Sequence, residues 1–251
     1  MKALSAEQLG KRYEGVQALR SVDLDVDAGE CRVIIGPNGA GKTTLFHLLS
    51  GVVPPTTGRI FLHGEEITGQ PDYVRAAKGL ARTFQVSSLF RRLTVEQNVL
   101  LAVQPRHAAF AMHRPATSFG QAMDRVDQVL RDGGLAAKRE LPARHLSHGE
   151  QRQLEVMLAL APEPSVVLLD EPTAGLSEAE RSGMTAFLRT LCGKVTIVLV
   201  SHDIDVAFDL ADRITVLHLG EVLTEGTPQA IRQDERVTQI YLGTERDQAH
   251  A

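Results

Sequence analysis

The chain carries the stretch Gly36-Pro-Asn-Gly-Ala-Gly-Lys42-Thr43, which matches the pattern G-x-x-x-x-G-K-[ST] at every fixed position. The β-branched run Cys31–Ile35 before it predicts a buried strand, and the residues after it predict a helix from about Lys42 to Ser50. Glycines allow successive backbone N–H groups to turn toward phosphate oxygens, and the helix adds the positive end of its dipole. The alternative, a glycine-rich turn with a solvated lysine, does not account for the flanking strand and helix. The sequence therefore predicts a phosphate-binding loop.

The parts of this loop have predicted roles toward a nucleoside triphosphate and its Mg²⁺. Lys42 would reach the β- and γ-phosphates, and the Thr43 hydroxyl would ligate Mg²⁺. The residues of the loop predicted to bind the nucleotide are Gly36, Asn38, Gly39, Ala40, Gly41, Lys42, Thr43 and Thr44.

A second apolar run, Val166–Asp170, ends abruptly in two carboxylates, Asp170 and Glu171. Residues that handle ligands lie at the carboxyl ends of the strands of an open parallel sheet. Asp170 is therefore predicted to bind Mg²⁺, and Glu171 to act as the general base that orients and deprotonates water. A strand followed by a solvated loop is the alternative, and the phosphate-binding loop upstream favours the catalytic interpretation.

The rest of the chain alternates short β-branched runs with amphipathic stretches, which indicates an α/β fold. Further strands are predicted at 59–62, 81–85, 195–201 and 214–217, and a helix over Glu178–Leu191 with Ser177 as its N-cap. The middle is predicted to be helical, with helices at Val95–Val103, at 121–131 and from Gly149, and with an irregular insertion at 104–120. We predict one domain with a core at 1–92 and 162–226, a helical lobe at about 93–161 and a C-terminal helical tail at 227–251.

Composition sets limits on the class of protein. Of the 251 residues, 43% are hydrophobic and 23% are charged, which is typical of a packed globular protein. The net charge of −4 disfavours a nucleic-acid partner. No signal peptide and no apolar run of ~20 residues is recognisable, so any membrane crossing is expected from another protein. Cys31 and Cys192 are expected to be buried small hydrophobes without a disulfide.

A third motif, Leu-Ser-His-Gly-Glu-Gln at 146–151, opens the helix that lies before the acidic strand. Together with the loop and the carboxylates it resembles the ATPase subunits of ATP-binding cassette (ABC) transporters, whose signature is usually Leu-Ser-Gly-Gly-Gln. Here His148 replaces the first glycine and Glu150 the glutamine. The resemblance implies a head-to-tail dimer with two ATPs, in which Ser147, His148, Gly149 and Glu150 contact the nucleotide of the opposite subunit. Taken alone, the motif is also compatible with a simple helix cap.

The resemblance implies further site residues. Gln85 corresponds to the glutamine that senses the metal and water and couples to the membrane partner, and His202 to the switch histidine at the γ-phosphate. Tyr13 corresponds to the aromatic residue that stacks on adenine, although a lone tyrosine is often a packing residue. The implied fold is a P-loop NTPase core with a mixed β-sheet, an antiparallel β part at the N-terminal side and an inserted helical lobe.

Within the family the chain most resembles the ATPases of branched-chain amino acid, amide and urea importers. The features are Leu-Ser-His-Gly-Glu-Gln-Arg-Gln-Leu-Glu at 146–155, the insertion at 104–120 and the ending Gly-Thr-Pro…Ile-Tyr-Leu-Gly at 226–243. Lipopolysaccharide exporters share a similar ending but usually lack the insertion. The resemblance implies an ATP-hydrolysing motor at the cytoplasmic face of the membrane, with a second ATPase subunit, integral permeases and an extracytoplasmic solute-binding protein. The other alternative is an ABC-type regulator with a soluble partner, although such proteins usually carry two cassettes or a long coiled coil.

Overall fold

The computed structural model describes residues 1–83, 89–103 and 116–248, with the side chains of 116–119 and 242–248 left out. Its strands form two sheets. The first is antiparallel with the order β2-β1-β4-β5, and its strands are β1 (Lys2–Tyr13), β2 (Val16–Asp27), β4 (Thr57–Leu62) and β5 (Glu65–Glu66). Glu14 and Gly15, both at positive φ, turn β1 into β2 as a two-residue hairpin requires. This sheet is the antiparallel β part that the family resemblance implied.

The second sheet is mixed and contains the strand that precedes the phosphate-binding loop. In the order β10-β9-β3-β8-β7-β6, only β10 runs antiparallel to its neighbour. The strands are β3 (Cys31–Ile35), β6 (Leu80–Arg82), β7 (Val166–Asp170), β8 (Thr196–Val200), β9 (Arg213–His218) and β10 (Glu221–Gly226). Every residue of β3, β7 and β8 is buried, which is why these strands appear in the sequence as continuous apolar runs.

The described helices pack around these sheets, and several of them begin at a side-chain cap. The helices are α1 (Lys42–Ser50), α2 (Asp72–Ala77), α3 (Val95–Val103), α4 (Ala116–Asp132), α5 (His148–Leu160), α6 (Glu178–Leu191), α7 (Ile204–Leu210), α8 (Pro228–Arg232) and α9 (Glu235–Gln248). The N-caps of α5, α6, α7 and α8 are Ser147, Ser177, Asp203 and Thr227. None of the helices within the described ranges is both long and apolar enough to span a bilayer.

Several of the predicted elements have different bounds in the structure, and the largest differences fall in two places. The strand predicted at 81–85 is Leu80–Arg82, and residues 84–88 lie outside the described part of the chain. The insertion predicted to be irregular over 104–120 is helical at its end, because α4 already begins at Ala116. The buried residues Val126, Val129 and Leu130 anchor this helix on the core. Residues 104–115 lie outside the described ranges.

The mixed sheet has an apolar core on each face, since alternate strand residues point to opposite sides. On one face Ile34 and Val198 pack with α1 and the antiparallel sheet, and on the other Val33 and Leu199 pack with the helices of the middle region. Cys31 is buried in the second core, as expected, and Cys192 packs against it half-buried; both thiols are free. The helix that follows the phosphate-binding loop is thus fixed between two sheets. The boundaries of the helical lobe and of the tail stay predictions.

Candidate active site

The phosphate-binding loop has backbone angles that glycine adopts without strain and that other residues rarely adopt. Gly36, Gly39 and Gly41 have φ values of +156°, +78° and +105°. A Cβ on Gly36 would overlap the carbonyl oxygen of Leu217 on β9, and a Cβ on Gly41 would lie 2.9 Å from the carbonyl oxygen of Ala18 on β2. The loop is therefore held between the two sheets at positions where only glycine fits.

Lys42 lies folded against the loop, where its Nζ donates to the carbonyl oxygens of Gly36 at 2.7 Å and Pro37 at 3.0 Å. Burial lowers the pKa of Lys42, while the nearby charges of Glu171 and Asp170 act in the opposite direction. The ammonium group of Lys42 therefore lies close enough to both carboxylates for their charges to affect its pKa. Of the other predicted nucleotide-binding residues, Asn38, Gly39 and Thr43 are exposed, Thr44 is half-buried and Ala40 is buried.

Asp170 ends β7 with its side chain almost wholly buried. Its Oδ2 accepts a hydrogen bond from Nη2 of Arg82 at 3.2 Å, and Nη1 of Arg82 donates to Oγ of Ser50 at 2.9 Å. Burial raises the pKa of Asp170, and the positive charge of Arg82 opposes this rise. This contact could not be predicted from the sequence, because Arg82 and Asp170 belong to strands that are far apart in the chain.

The oxygen donors at this end of the sheet fit a magnesium ion. Asp170 offers a carboxylate and Thr43 an exposed hydroxyl in the first turn of α1. Hard oxygen ligands of this kind, few in number and supplemented by phosphate oxygens, are what Mg²⁺ takes in nucleotide sites. Gln85, the third predicted ligand, lies outside the described residues.

Glu171 and His202 lie together at the mouth of the site. Nδ1 of His202 is 3.4 Å from Oε2 of Glu171, and both side chains are partly exposed. Glu171 has the left-handed backbone angle φ +48°, its N–H donates to the carbonyl oxygen of Val200, and its own carbonyl oxygen accepts from Nη2 of Arg152 at 3.3 Å.

The order of the strands explains why these residues meet. Lys42 follows β3, His202 follows β8, and Asp170 and Glu171 end β7, and these three strands are adjacent and parallel. The carboxyl ends of parallel strands meet at one edge of the sheet. A lysine in a phosphate-binding loop, a carboxylate pair and a histidine are thus collected in one place.

The signature segment forms a tight helix start. Ser147 and Glu150 make a reciprocal capping box: the N–H of Glu150 donates to Oγ of Ser147 at 3.2 Å, and the N–H of Ser147 donates to Oε2 of Glu150 at 3.0 Å. Lys138 also bonds the Glu150 carboxylate and is the main cause of its lowered pKa. Glu150 can replace the usual glutamine because both residues serve the capping box. The helix cap and the proposed nucleotide contact are therefore compatible.

Two further contacts tie this helix start to α6 and the segment before it. The N–H of Gly149 donates to Oε1 of Glu180 at 2.8 Å, and the ring of His148 lies beside Gly175. A Cβ on Gly149 would lie 2.8 Å from Cγ of Glu180, so the glycine is required for the contact. In the sequence Glu180 is only one residue of the helix predicted over Glu178–Leu191, because nothing in the spacing pairs it with Gly149.

Tyr13 is the last residue of β1, at the tip of the β1–β2 hairpin. It is 40% exposed, and Nζ of Lys11 is 5.0 Å from the centroid of its ring. It remains a predicted adenine contact. The hairpin joins the phosphate-binding loop through Ala18, which lies against Gly41.

This fold and this arrangement of residues define an ATP-binding cassette. The family model described as "ABC transporter" matches residues 19–174, and the model described as "Branched-chain amino acid ATP-binding cassette transporter" matches residues 221–247. The chain belongs to the ABC transporter family, as an ATP-binding subunit that hydrolyses ATP.

Relatives of two kinds are similar over nearly the whole length. The high-affinity branched-chain amino acid transport ATP-binding protein BraF of Pseudomonas aeruginosa is 37% identical over 96% of this chain and 97% of its own. The lipopolysaccharide export system ATP-binding protein LptB of Haemophilus influenzae is 32% identical over 97% of this chain and 98% of its own.

Solved cassettes confirm the predicted fold class. MJ1267, an ATP-binding cassette of an ABC transporter, superposes with a TM-score of 0.84 at 26% identity, covering 96% of this chain and 99% of that one. The dimeric post-hydrolysis structure of MJ0796 bound to ADP and Pi gives a TM-score of 0.73 at 28% identity, covering 90% of this chain and 98% of that one.

Proposed function

We propose that this chain is the ATP-hydrolysing motor of an importer for branched-chain amino acids or related amides and urea. The observation that carries the ATPase part is the meeting of Lys42, Asp170, Glu171 and His202 at three adjacent strand ends. The importer part is supported by the 37% identity with BraF and by the family match at residues 221–247.

ATP lies with its phosphates on the loop 36–44 and its adenine against Tyr13. The γ-phosphate draws Nζ of Lys42 away from the carbonyl oxygens of Gly36 and Pro37, because a charged oxygen is a stronger acceptor than a peptide carbonyl. Thr43, Asp170 and Gln85 would hold a Mg²⁺ ion, which when bound would supply positive charge for the phosphates. Arg82 keeps the Asp170 carboxylate in place through Oδ2.

Glu171 performs the proton transfer. It takes a proton from water, the water oxygen bonds to the γ-phosphorus, and the bond from that phosphorus to the bridging oxygen breaks, which leaves ADP and phosphate. His202, 3.4 Å from the Glu171 carboxylate, holds the water and the γ-phosphate in line. Gln85 is assigned to the same water.

A second copy of the chain, or a related subunit, completes each site. In a head-to-tail dimer the segment Ser147, His148, Gly149 and Glu150 of one copy faces the ATP on the other. A hydroxyl, an N–H and the start of α5 are suited to a phosphate group. The dimeric MJ0796 structure supports this arrangement. ATP binding closes the pair, and loss of products opens it.

The motion is transmitted to integral membrane permeases, so the chain works as a peripheral subunit at the cytoplasmic face. Two large apolar side chains, Phe90 and Leu101, are 59% and 46% exposed on either side of the start of α3, close in sequence to Gln85. We assign them to the permease contact. An extracytoplasmic solute-binding protein delivers the solute to the same complex.

The identity with LptB supports one alternative, the motor of a lipopolysaccharide-type exporter. Copurification followed by an ATPase assay separates the candidates. The importer motor should be recovered from detergent extracts with polytopic permeases, and branched-chain amino acids, amides or urea should stimulate the reconstituted ATPase. Stimulation by lipopolysaccharide alone would favour the exporter, and recovery with ribosomes or DNA would favour a regulator.

The shared site is tested by mixing two defective copies, each in a Glu171→Gln background that stops hydrolysis. One copy carries Lys42→Ala. The other carries Ser147→Asp, which keeps the helix cap because aspartate caps as well as serine, but places a negative charge before the γ-phosphate. The mixture should retain labelled ATP that neither copy retains alone.

The matched control is Thr227→Asp at the N-cap of α8, which should not impair retention of ATP. If the mixture retains no more ATP than either copy alone, while the Glu171→Gln protein retains it, the shared site is wrong.

A further inference from the structure

An internal carboxylate already occupies the groups that the proposed function assigns to the partner's ATP. Oε1 of Glu180 accepts the hydrogen bond from the N–H of Gly149 at 2.8 Å. The side chain of Ser147 also contributes to the lowering of the pKa of this carboxylate. Gly149 and Ser147 are two of the residues that the proposed function assigns to a γ-phosphate.

Glu180 lies where the starts of two helices come together. It is the third residue of α6, and its Oε2 accepts from Oγ of Ser177 at 2.8 Å and from the N–H of Ser177 at 3.2 Å. The N–H of Gly149 is the largest cause, followed by Ser177, of the lowering of its pKa to about 2. The side chain is therefore an anion throughout the physiological pH range, stabilised by the positive ends of α5 and α6.

From this contact we infer that Glu180 is a positioning residue for ATP-driven closure: it holds Ser147 and Gly149 as an anion-binding pair and is displaced by the γ-phosphate bound to the partner copy. The inference rests on the proposed function, because it needs the shared site. It goes beyond it by naming the group that the phosphate must replace.

Displacement follows from charge and from the number of donors. One N–H and one hydroxyl cannot satisfy a carboxylate and a γ-phosphate at once, and two anions in contact repel each other. Closure therefore releases Glu180, and with it the contact between α5 and the first turn of α6. When phosphate leaves, Glu180 returns to the same donors and favours the open pair.

The variant that isolates this role is Glu180→Gln. Glutamine keeps the shape and can still form the capping box with Ser177, so α6 keeps its start. The negative charge is lost, and with it the strength of the bond to Gly149. The matched control is Glu178→Gln, which removes the same charge from the same turn; Glu178 is exposed and, two positions from Glu180, points to another side of the helix.

The measurement is the ATP concentration at half-maximal dimer formation, followed by light scattering in the Glu171→Gln background. Glu180→Gln should lower it about fivefold, the difference between a charge-assisted and a neutral hydrogen bond. Glu178→Gln should leave it unchanged. With Glu171 intact, Glu180→Gln should lower the KM for ATP without raising kcat, whereas a merely structural defect would raise the KM.

An unchanged or higher ATP requirement in Glu180→Gln overturns the inference, as does an equal shift in the Glu178→Gln control. If Glu180→Gln does not fold, Glu180→Ala is the second variant and should shift the ATP requirement in the same direction. If the Glu171→Gln protein does not dimerise at any ATP concentration, the failure lies with the proposed function instead.

Discussion

Nδ1 of His202 lies 3.4 Å from Oε2 of Glu171, although 31 positions separate the two residues in the chain. The contact exists because β7 and β8 are adjacent and end at the same edge of the sheet. It places an imidazole beside the carboxylate that is proposed to accept the proton from water. The role of this pair can be tested by mutating Glu171.

Replacing Glu171 with glutamine should stop hydrolysis and spare binding. The amide keeps the size of the side chain but cannot accept a proton, and a positioned base contributes about 10²- to 10⁴-fold to the rate. We expect turnover of at most a few per cent with ATP binding retained, measured by phosphate release and by equilibrium binding. The control is Glu163→Gln, at another glutamate with positive φ, which should hydrolyse ATP normally. Full turnover in Glu171→Gln would remove this residue from the role.

Two glycines of the phosphate-binding loop should differ in their tolerance of a methyl group. In Gly39→Ala nothing lies within 4 Å of the new Cβ, so the cost is that of left-handed backbone, about 1 kcal/mol. In Gly36→Ala the Cβ meets the carbonyl oxygen of Leu217, which adds an overpacking cost of about 1–3 kcal/mol. Urea denaturation of both variants should show the larger loss in Gly36→Ala, and equal losses would contradict the close approach.

Arg75 should be essential for stability although it is remote from the strand ends. Its guanidinium is buried and donates to four backbone carbonyls, those of Leu48, Leu49, Thr68 and Gln70, which satisfies the end of α1. Because hydrogen bonds to charged groups contribute about 1.5–3 kcal/mol each, Arg75→Ala should lower the free energy of unfolding by about 3 kcal/mol or more.

Two comparisons test this account of Arg75. Arg75→Lys should recover little of the stability, since an ammonium group cannot reproduce the planar fork. Arg59→Ala, at an exposed arginine paired with Glu7, should change the free energy of unfolding by less than about 1 kcal/mol. A small loss in Arg75→Ala would show that the carbonyls find other donors.

The contribution of Glu180 to the free energy of unfolding should depend on pH. Its pKa is lowered from 4.5 to about 2 by the N–H of Gly149 and by Ser177. A carboxyl group with a lowered pKa in the folded state stabilises that state fully above the unfolded pKa and loses the effect as pH falls through the folded pKa. The difference in unfolding free energy between the wild type and Glu180→Gln should be constant above pH 5 and shrink from pH 4.5 to 2. A difference independent of pH would contradict the charged contact.

Local motifs made part of the site predictable from the sequence. Lys42 and Thr43 belong to a fixed motif between a strand and a helix, and Asp170 ends an apolar run. The few residues around each of them were therefore enough to predict its place in the site. Arg82 with Asp170, Arg75 with Leu48 and Glu180 with Gly149 could not be predicted, because each pair comes from separate elements and only the packing of those elements brings them together.

The edges of elements were also hard to predict. The Pro-, His- and Ala-rich composition of 104–120 suggested irregular chain, yet α4 begins at Ala116, since apolar residues further along the helix hold it on the core. The strand β10 was not predicted, because at the edge of the sheet its residues are only partly buried and lack an apolar pattern. The Ser177 cap was predictable, and α6 begins there.

Arg152 links the two ATP sites of the proposed dimer. This side chain belongs to the second turn of α5, whose start is proposed to contact the nucleotide of the partner copy. Its Nη2 donates to the carbonyl oxygen of Glu171, the proposed base for the nucleotide of its own copy. If one ATP shifted α5, Arg152 would therefore move the backbone of Glu171, the proposed base for the other ATP. ATP binding or hydrolysis at one site would then change the position of Glu171 at the other site through the guanidinium group of Arg152.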